Sequence, residues 1–336
     1  AETNRADFNT MAMDITQSGS QRKLWIGATD FGVGGAIFQL NLESGSIPTS
    51  ATLTRTKTPP GKSVNGLARS GNWLYATAGR TAGGSFGLNA NTMVMENQDL
   101  YTNAKYTAVT GTAMGSYHVV LRSGDNAELL VYEVSAAHTL VNTINLGAIE
   151  PDDGKSVLFV KGNLAWVAMG YAGLKAFDLT TGAVVHTLSP SSMTSPEWVT
   201  NGVSVDEYYV YVANGSGGLY LCRIVPGQTE LEILGIYAYG ASANYVTARG
   251  NYIFIANGRE GLKILHRVPP GDYEILCDYN SLGVPLCLDP VNDPPCATLL
   301  PALNLLLPEN QNALIAHPEF FTNPNLNLIL NQEATV

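Results

Sequence analysis

Charge is scarce in this chain. Lysine and arginine total 18 and aspartate and glutamate 28 of 336 residues, so 14% of positions are charged and the formal net charge is −10. A soluble domain ordinarily carries about 25% charged residues. Binding to DNA or RNA needs clustered Lys and Arg to neutralise phosphates, and this chain offers no such cluster, which excludes a nucleic-acid surface. Long apolar runs are missing too. No stretch of 18 residues is continuously apolar, so there is no candidate membrane helix. The opening AETNRADF lacks the basic-then-apolar pattern of a signal peptide. With its sparse lysine and its Asn-, Thr- and Gly-rich texture, the chain reads as a secreted or cell-surface protein whose signal has been removed.

Cysteine is absent until position 222. The four are Cys222, Cys277, Cys287 and Cys296, the last three within 20 residues of a proline-rich stretch. A disulfide stabilises such a stretch by restricting its unfolded ensemble. Four cysteines allow three full pairings, and the reading favours a bridge among Cys277, Cys287 and Cys296. Cys222 lies in a strand-like run and is expected to pack as a small hydrophobe. Paired C-x-x-C zinc knuckles are not present.

Capped helical periodicity is also lacking before residue 290. A repeat stands in its place. Residues 71–78 read GNWLYATA, 162–174 GNLAWVAMGYAGL, 208–219 YYVYVANGSGGL and 250–262 GNYIFIANGREGL, with weaker copies from Lys23 and Tyr117. The aligned cores Trp25, Tyr75, Val119, Trp166, Tyr211 and Phe254 lie 50, 44, 47, 45 and 43 residues apart. A period in the forties with strand-like content marks a β-propeller, one four-stranded sheet per unit. The fold expected is therefore all-β, a six-bladed propeller over 1–277. A seven-bladed ring is the alternative, although its extra blade would have to come from 280–336, which lacks the motif. A Cys- and Pro-rich linker occupies 278–300, and 301–336 is an extension or the start of a further β-rich module. Blade one is expected to use strands 8–14, 23–29, 36–42 and 51–56. The last outer strand is expected at 273–277. The recurring aromatics read as packing between blades, and the Asn214-Gly215 and Asn257-Gly258 pairs as hairpin turns.

The segments NYIFIANGREGLKIL, YYVYVANGSGGLYLC and NLAWVAMGYAGLKAFDL resemble the LVIVD-repeat family of bacterial surface propellers, over about residues 20–270. That family's Asp after the third strand survives at Asp178 alone. The resemblance implies surface display or adhesion rather than chemistry. Beyond the ring, CDYNSLGVPLCLDP resembles a worn calcium loop of secreted bacterial proteins. Asp278, Asn280 and Asp289 would stand at ligand positions 1, 3 and 12, and Gly283 at the turn. Leu282 and Leu286 stand where two further ligands belong. No cofactor is expected, with calcium at this loop as the alternative. The segment LLPENQNALIAHPEFF followed by NLNLILNQEATV resembles the opening of a β-rich module found after such propellers.

Propeller enzymes place their chemistry on the innermost strands. Counting back from each G-N position selects Ile15, Asn65, Val109, Ser156, Thr200 and Asn244, a ring with no acid, histidine or cysteine. The histidines form no H-x-H or H-E-x-x-H motif, and no G-x-S-x-G occurs. His118 reads as a hydrogen-bonded core residue. Three residues remain as candidates for ligand contact: Trp198, read as an exposed loop residue able to meet a glycan, and Lys62 and Lys155, each preceding an inner strand, able to hold an anion. Leu326, Leu328 and Leu330 form an alternating strand with no partner nearby, which either docks on this propeller or adds to a sheet of another subunit. The function expected is that of a secreted, non-enzymatic surface or fibre protein, self-associating or binding another cell-surface protein through this strand. A calcium-dependent propeller hydrolase and a glycan-binding module are the alternatives.

Overall fold

A computed structural model describes residues 7–14, 22–29, 36–42, 51–57, 64–78, 83–100, 104–112, 115–149, 157–195, 197–238, 240–250, 252–267, 277–279, 285–287 and 328–330. Apart from two single-turn 3-10 helices, every element among them is a strand. Five sheets are meanders of four consecutive antiparallel strands. Sheet 1 holds β1 (Asp7–Asp14), β2 (Arg22–Thr29), β3 (Ala36–Leu42) and β4 (Ala51–Lys57). Sheet 2 holds β5 (Val64–Ser70), β6 (Trp73–Ala78), β7 (Gly84–Asn89) and β8 (Met95–Leu100). Sheet 3 holds β9 (Ala104–Thr112), β10 (Gly115–Arg122), β11 (Gly124–Glu133) and β12 (Leu140–Ile149). Sheet 4 holds β13 (Leu158–Lys161), β14 (Leu164–Ala168), β15 (Leu174–Asp178) and β16 (Val184–Leu188). Sheet 5 holds β17 (Trp198–Val205), β18 (Val210–Gly215), β19 (Leu219–Arg223) and β20 (Glu232–Tyr237). The strands anticipated in blade one lie within a residue or so of those observed. The architecture is all-β and propeller-like.

The sixth sheet differs from expectation. It takes β21 (Tyr245–Arg249), β22 (Tyr252–Ala256) and β23 (Leu262–Arg267) in order. Two three-residue strands follow, β24 (Cys277–Tyr279) and β25 (Pro285–Cys287), and they pair with each other as a separate hairpin. The fourth strand of the sheet is β26 (Leu328–Leu330), with Leu330, Ile329 and Leu328 opposite Leu265, His266 and Arg267. The fourth place in the sheet, anticipated for 273–277, is thus taken by a segment some fifty-odd residues further along, and of 273–277 only Cys277 lies within the described residues. Residue 277 is committed to the β24–β25 hairpin, and an edge of β23 accepts whichever apolar strand reaches it.

The chain forms two compact units, 1–192 and 193–336. In the first, the leading strands of successive sheets neighbour one another, β1 by β5, β5 by β9 and β9 by β13; in the second, β17 lies by β21. Between sheets 1 and 2, Trp25 and Ile37 pack with Leu74, Ala76, Phe86 and Leu88. Between sheets 3 and 4, Val119, Leu129 and Val131 pack with Leu158, Val167 and Phe177. In the second unit Tyr211, Leu219 and Leu221 pack with Val246, Ile253 and Leu265. Trp25, Tyr75, Trp166 and Tyr211 are fully buried, as expected of packing between neighbouring sheets, whereas Trp73 and Phe254 are half-buried.

The repeated glycines have a close-packing cause. In three sheets the turn after the second strand closes with the same bond, Met169 N–H to Gly173 O at 2.9 Å, Asn214 N–H to Gly218 O at 2.8 Å and Asn257 N–H to Gly261 O at 2.8 Å. Gly218 has φ +87, and a Cβ there would sit 2.3 Å from the Tyr237 carbonyl oxygen, so only glycine lets the fourth strand approach. The Asn214-Gly215 and Asn257-Gly258 pairs stand at hairpin turns as expected, with the asparagines themselves turned inward. Asn214 and Asn257 are fully buried, and Asn214 Oδ1 accepts the Thr200 hydroxyl at 2.7 Å. The positive φ belongs to the glycine that follows each, +57 at Gly215 and +55 at Gly258.

Candidate functional site

Sheet 2 has two chemically distinct faces, and strand alternation creates them. Leu74, Ala76 and Ala78 of β6 and Phe86 and Leu88 of β7 pack towards sheet 1. The intervening positions are Tyr75, Thr77, Ser85 and Gly87. Cross-strand register aligns Tyr75 with Gly87 and Gly87 with Asn97, then Thr77 with Ser85 and Ser85 with Asp99. Partners in an antiparallel ladder share a face, so two rows of polar residues point the same way, towards sheet 3.

What meets them is a pair of histidines. His118 stands on β10 beside Tyr132 of β11, its cross-strand partner. His138 ends the turn between β11 and β12, where its N–H reaches the Ser135 carbonyl at 3.2 Å. Its φ of +46 is left-handed, a conformation uncommon outside glycine, and it is held by the surrounding contacts. His118 is 0% and His138 6% exposed. His118 Nδ1 and His138 Nε2 are 2.8 Å apart, and His138 Nδ1 lies 3.4 Å from Asp99 Oδ2. Each imidazole stacks on a tyrosine: Tyr75 on His118 with centroids 4.0 Å apart, and Tyr132 on His138 at 4.1 Å.

The carboxylate selects the tautomers. A neutral His138 that presented a lone pair at Nδ1 to Asp99 would be repelled, so the proton sits on Nδ1 and Nε2 is an acceptor. His118 then donates from Nδ1. Burial, reinforced by the neighbouring His138, holds His118 well below the ordinary imidazole range. Burial also lowers His138, opposed by the charge and hydrogen bond of Asp99. Burial pushes the Tyr75 phenol up to about 12. The cluster is therefore neutral at its centre, with Asp99 half-exposed at its rim. With both rings closed off by tyrosines, this is a buried polar junction between two sheets and not an open general-base site.

The sequence candidates are dispersed elsewhere. Trp198 is not in an exposed loop; it begins β17, pairs with Gly215 and is half-buried. Thr200 is fully buried on Asn214, and Asn244 Oδ1 accepts the Ser242 hydroxyl at 3.0 Å. Asn65 lies half-buried in β5 and Val109 lies in β9. Asp278 lies in β24, whose ladder sets the Cα atoms of Cys277 and Cys287 directly opposite each other. Leu328 and Leu330 lie in β26. Ile15, Lys62, Lys155, Ser156, Asn280, Asp289, Cys296 and Leu326 lie outside the described residues. Cys222 is fully buried and its thiol pKa is raised by that burial, as expected of an inert thiol. Asp178 caps a turn: its carboxylate is held below the usual range, first by the Thr181 backbone N–H at 2.7 Å, and it also accepts from Thr180 and Asn163. No group of three or more His, Cys, Asp or Glu side chains suited to a metal ion occurs among the described residues.

Sequence reasoning placed His118 correctly in a hydrogen-bonded interior but missed His138, Asp99 and Asn97. The signal was faint: polar residues at every second position of β6, β7 and β8, where a buried blade ordinarily alternates two apolar sets.

No protein-family model matches the chain, and no curated protein matches it. Solved structures do. The periplasmic gluconolactonase PpgL of Pseudomonas aeruginosa superposes with a TM-score of 0.60 at 13% identity, covering 78% of this chain and 82% of that one. A Bacteroides fragilis protein described as a candidate 6-phosphogluconolactonase gives 0.59 at 11% identity, covering 84% and 83%. The computationally designed protein Ika8 gives 0.54 at 12% identity, covering 78% and 71%. At these identities the likeness extends to the fold alone.

Proposed function

We propose that this chain is a non-enzymatic interaction module of a secreted or cell-surface protein, a six-bladed propeller whose final blade is completed by a strand that a second copy can supply. The observation that carries the reading is the pairing of β26 with β23. Sixty residues separate these strands in sequence. An extended chain of that length spans about 200 Å at roughly 3.3 Å per residue, so connectivity does not oblige the strand to pair within its own chain. Exchange of the same three-residue ladder between copies is an isologous or head-to-tail contact without any new interface chemistry. The LVIVD-like repeats and the low charge agree with a surface role, and the β24–β25 hairpin then serves as a spacer between platform and strand.

The test is negative-stain electron microscopy and sedimentation of the whole chain and of a variant lacking 324–336. Oligomers or filaments are expected for the former and single particles for the latter. Assembly that survives the deletion sinks the reading.

A second reading is hydrolysis of a sugar lactone, favoured by the similarity in fold to two proteins described as lactonases. Hydrolysis of gluconolactone, followed by pH-stat above the spontaneous rate with and without added calcium, decides it.

A further inference from the structure

The polar face of sheet 2 carries five buried side-chain atoms with no hydrogen-bond partner in the protein: Tyr75 Oη, Thr77 Oγ1, Ser85 Oγ and both Asn97 amide atoms. Tyr75, Thr77 and Ser85 are each 0% exposed. Over 90% of buried polar groups in folded proteins are hydrogen-bonded, to protein or to ordered water. Isolated exceptions occur; five on one face of one sheet are a pattern. The two register rows place them together, and Gly87 between Tyr75 and Asn97 is what admits the amide. A Cβ on Gly87 would lie 2.2 Å from Asn97 Oδ1, so the carboxamide occupies the space a side chain would fill.

The chemistry of these groups defines their ligand. Three hydroxyls and one carboxamide all both donate and accept, and none is charged. An ion would exchange its hydration shell for neutral dipoles, the one carboxylate of these rows, Asp99, lying against His138 at the rim, and that is an unfavourable trade in a buried site. A neutral partner that also donates and accepts is matched on every side. Because the flanking side chains are fully buried, it must be small.

We propose that the seam between sheets 2 and 3 is a binding site for internal water, in which about two molecules bridge Tyr75, Thr77, Ser85 and Asn97 beside the His118–His138 pair. The number follows from the roughly three hydrogen bonds that a buried water makes. These waters are structural ligands of the fold. They satisfy the polar groups on this face of sheet 2, and they extend the hydrogen-bonded junction that begins at Asp99.

The first test is a crystal structure of the whole chain at atomic resolution. Water oxygens within hydrogen-bonding distance of the Tyr75, Thr77 and Ser85 hydroxyls and of the Asn97 amide are expected. Hydroxyls bonded directly to one another with no density between them would overturn the proposal, as would density larger than water. The second test is Thr77→Val, which keeps side-chain shape and removes one oxygen. A bridging water that loses a partner should lower the melting temperature by about 2–4 °C. An unchanged or raised melting temperature means that the hydroxyl was unpaired in a dry seam, and overturns the site. The crystallographic test stands even if the variant does not fold.

Discussion

At the scale of single residues, the glycines and the buried asparagines show how little latitude the repeat has. Gly218 and Gly71 both have positive φ, yet their surroundings are opposite. A Cβ on Gly218 meets the Tyr237 carbonyl at 2.3 Å, while one on Gly71 finds nothing within 4 Å. Gly71→Ala should therefore cost only the left-handed backbone term, about 1–2 kcal/mol. Gly218→Ala adds displacement of β20 and should cost about twice that or more. Urea denaturation of the two variants measures the difference; equal midpoints would show that the fourth strand does not press on the turn. The legibility of these positions follows from their chemistry. A glycine forced by backbone approach recurs wherever the turn recurs, so the spacing of G-x-x-G-L is visible in the sequence. Asn214 gives no such sign, because its Thr200 partner comes from a neighbouring strand that only the register identifies.

At the scale of strands and sheets, the seam between sheets 2 and 3 is the element most sensitive to pH. Both imidazoles are held below their ordinary value in the fold, so the unfolded chain binds more protons than the native one in mildly acidic solution. Their contribution is complete above about pH 6.5, the unfolded imidazole value. It is lost progressively as pH falls below that value towards the lowered folded values. The slope approaches about 1.4 kcal/mol per pH unit for each imidazole that protonates only on unfolding. Among the described residues, Asp99 on β8, Tyr75 on β6 and Tyr132 on β11 face the pair. Asp99→Asn removes the one carboxylate that favours protonation of His138, so acid destabilisation should steepen in that variant. Urea midpoints between pH 5.0 and 7.5, with histidine titration followed by NMR, measure both effects. A flat profile would mean that the pair is not held neutral. Of this site, His118 in a strand was readable from sequence. The His138 contact was not, because a left-handed turn residue twenty positions later announces neither its conformation nor its direction.

At the scale of the whole molecule, a net charge of −10 opposes self-association wherever it is not screened. The proposed exchange of β26 between copies is driven by backbone pairing, which salt leaves largely intact. Assembly should consequently be weaker in about 10 mM salt, where the Debye length is about 30 Å, than in 0.15 M, where it is about 8 Å. Sedimentation at the two ionic strengths tests this, and stronger assembly at low salt would point to charge-complementary contacts instead.

The sequence by itself determined the all-β repeat, the places where sheets begin, the glycines at the turns and the aromatic positions that pack between neighbours. These follow from local chemistry, since alternation, turn geometry and a period in the forties need no knowledge of distant residues. Only the tertiary structure decided that the last sheet is closed by Leu328–Leu330 instead of 273–277, that Trp198 starts a strand, and that one face of sheet 2 is polar and meets two histidines. Those outcomes depend on which edge, face or turn from another part of the chain arrives opposite: the alternation of Leu326, Leu328 and Leu330 marks a strand in the sequence, but long-range pairing leaves no sign there of which edge receives it.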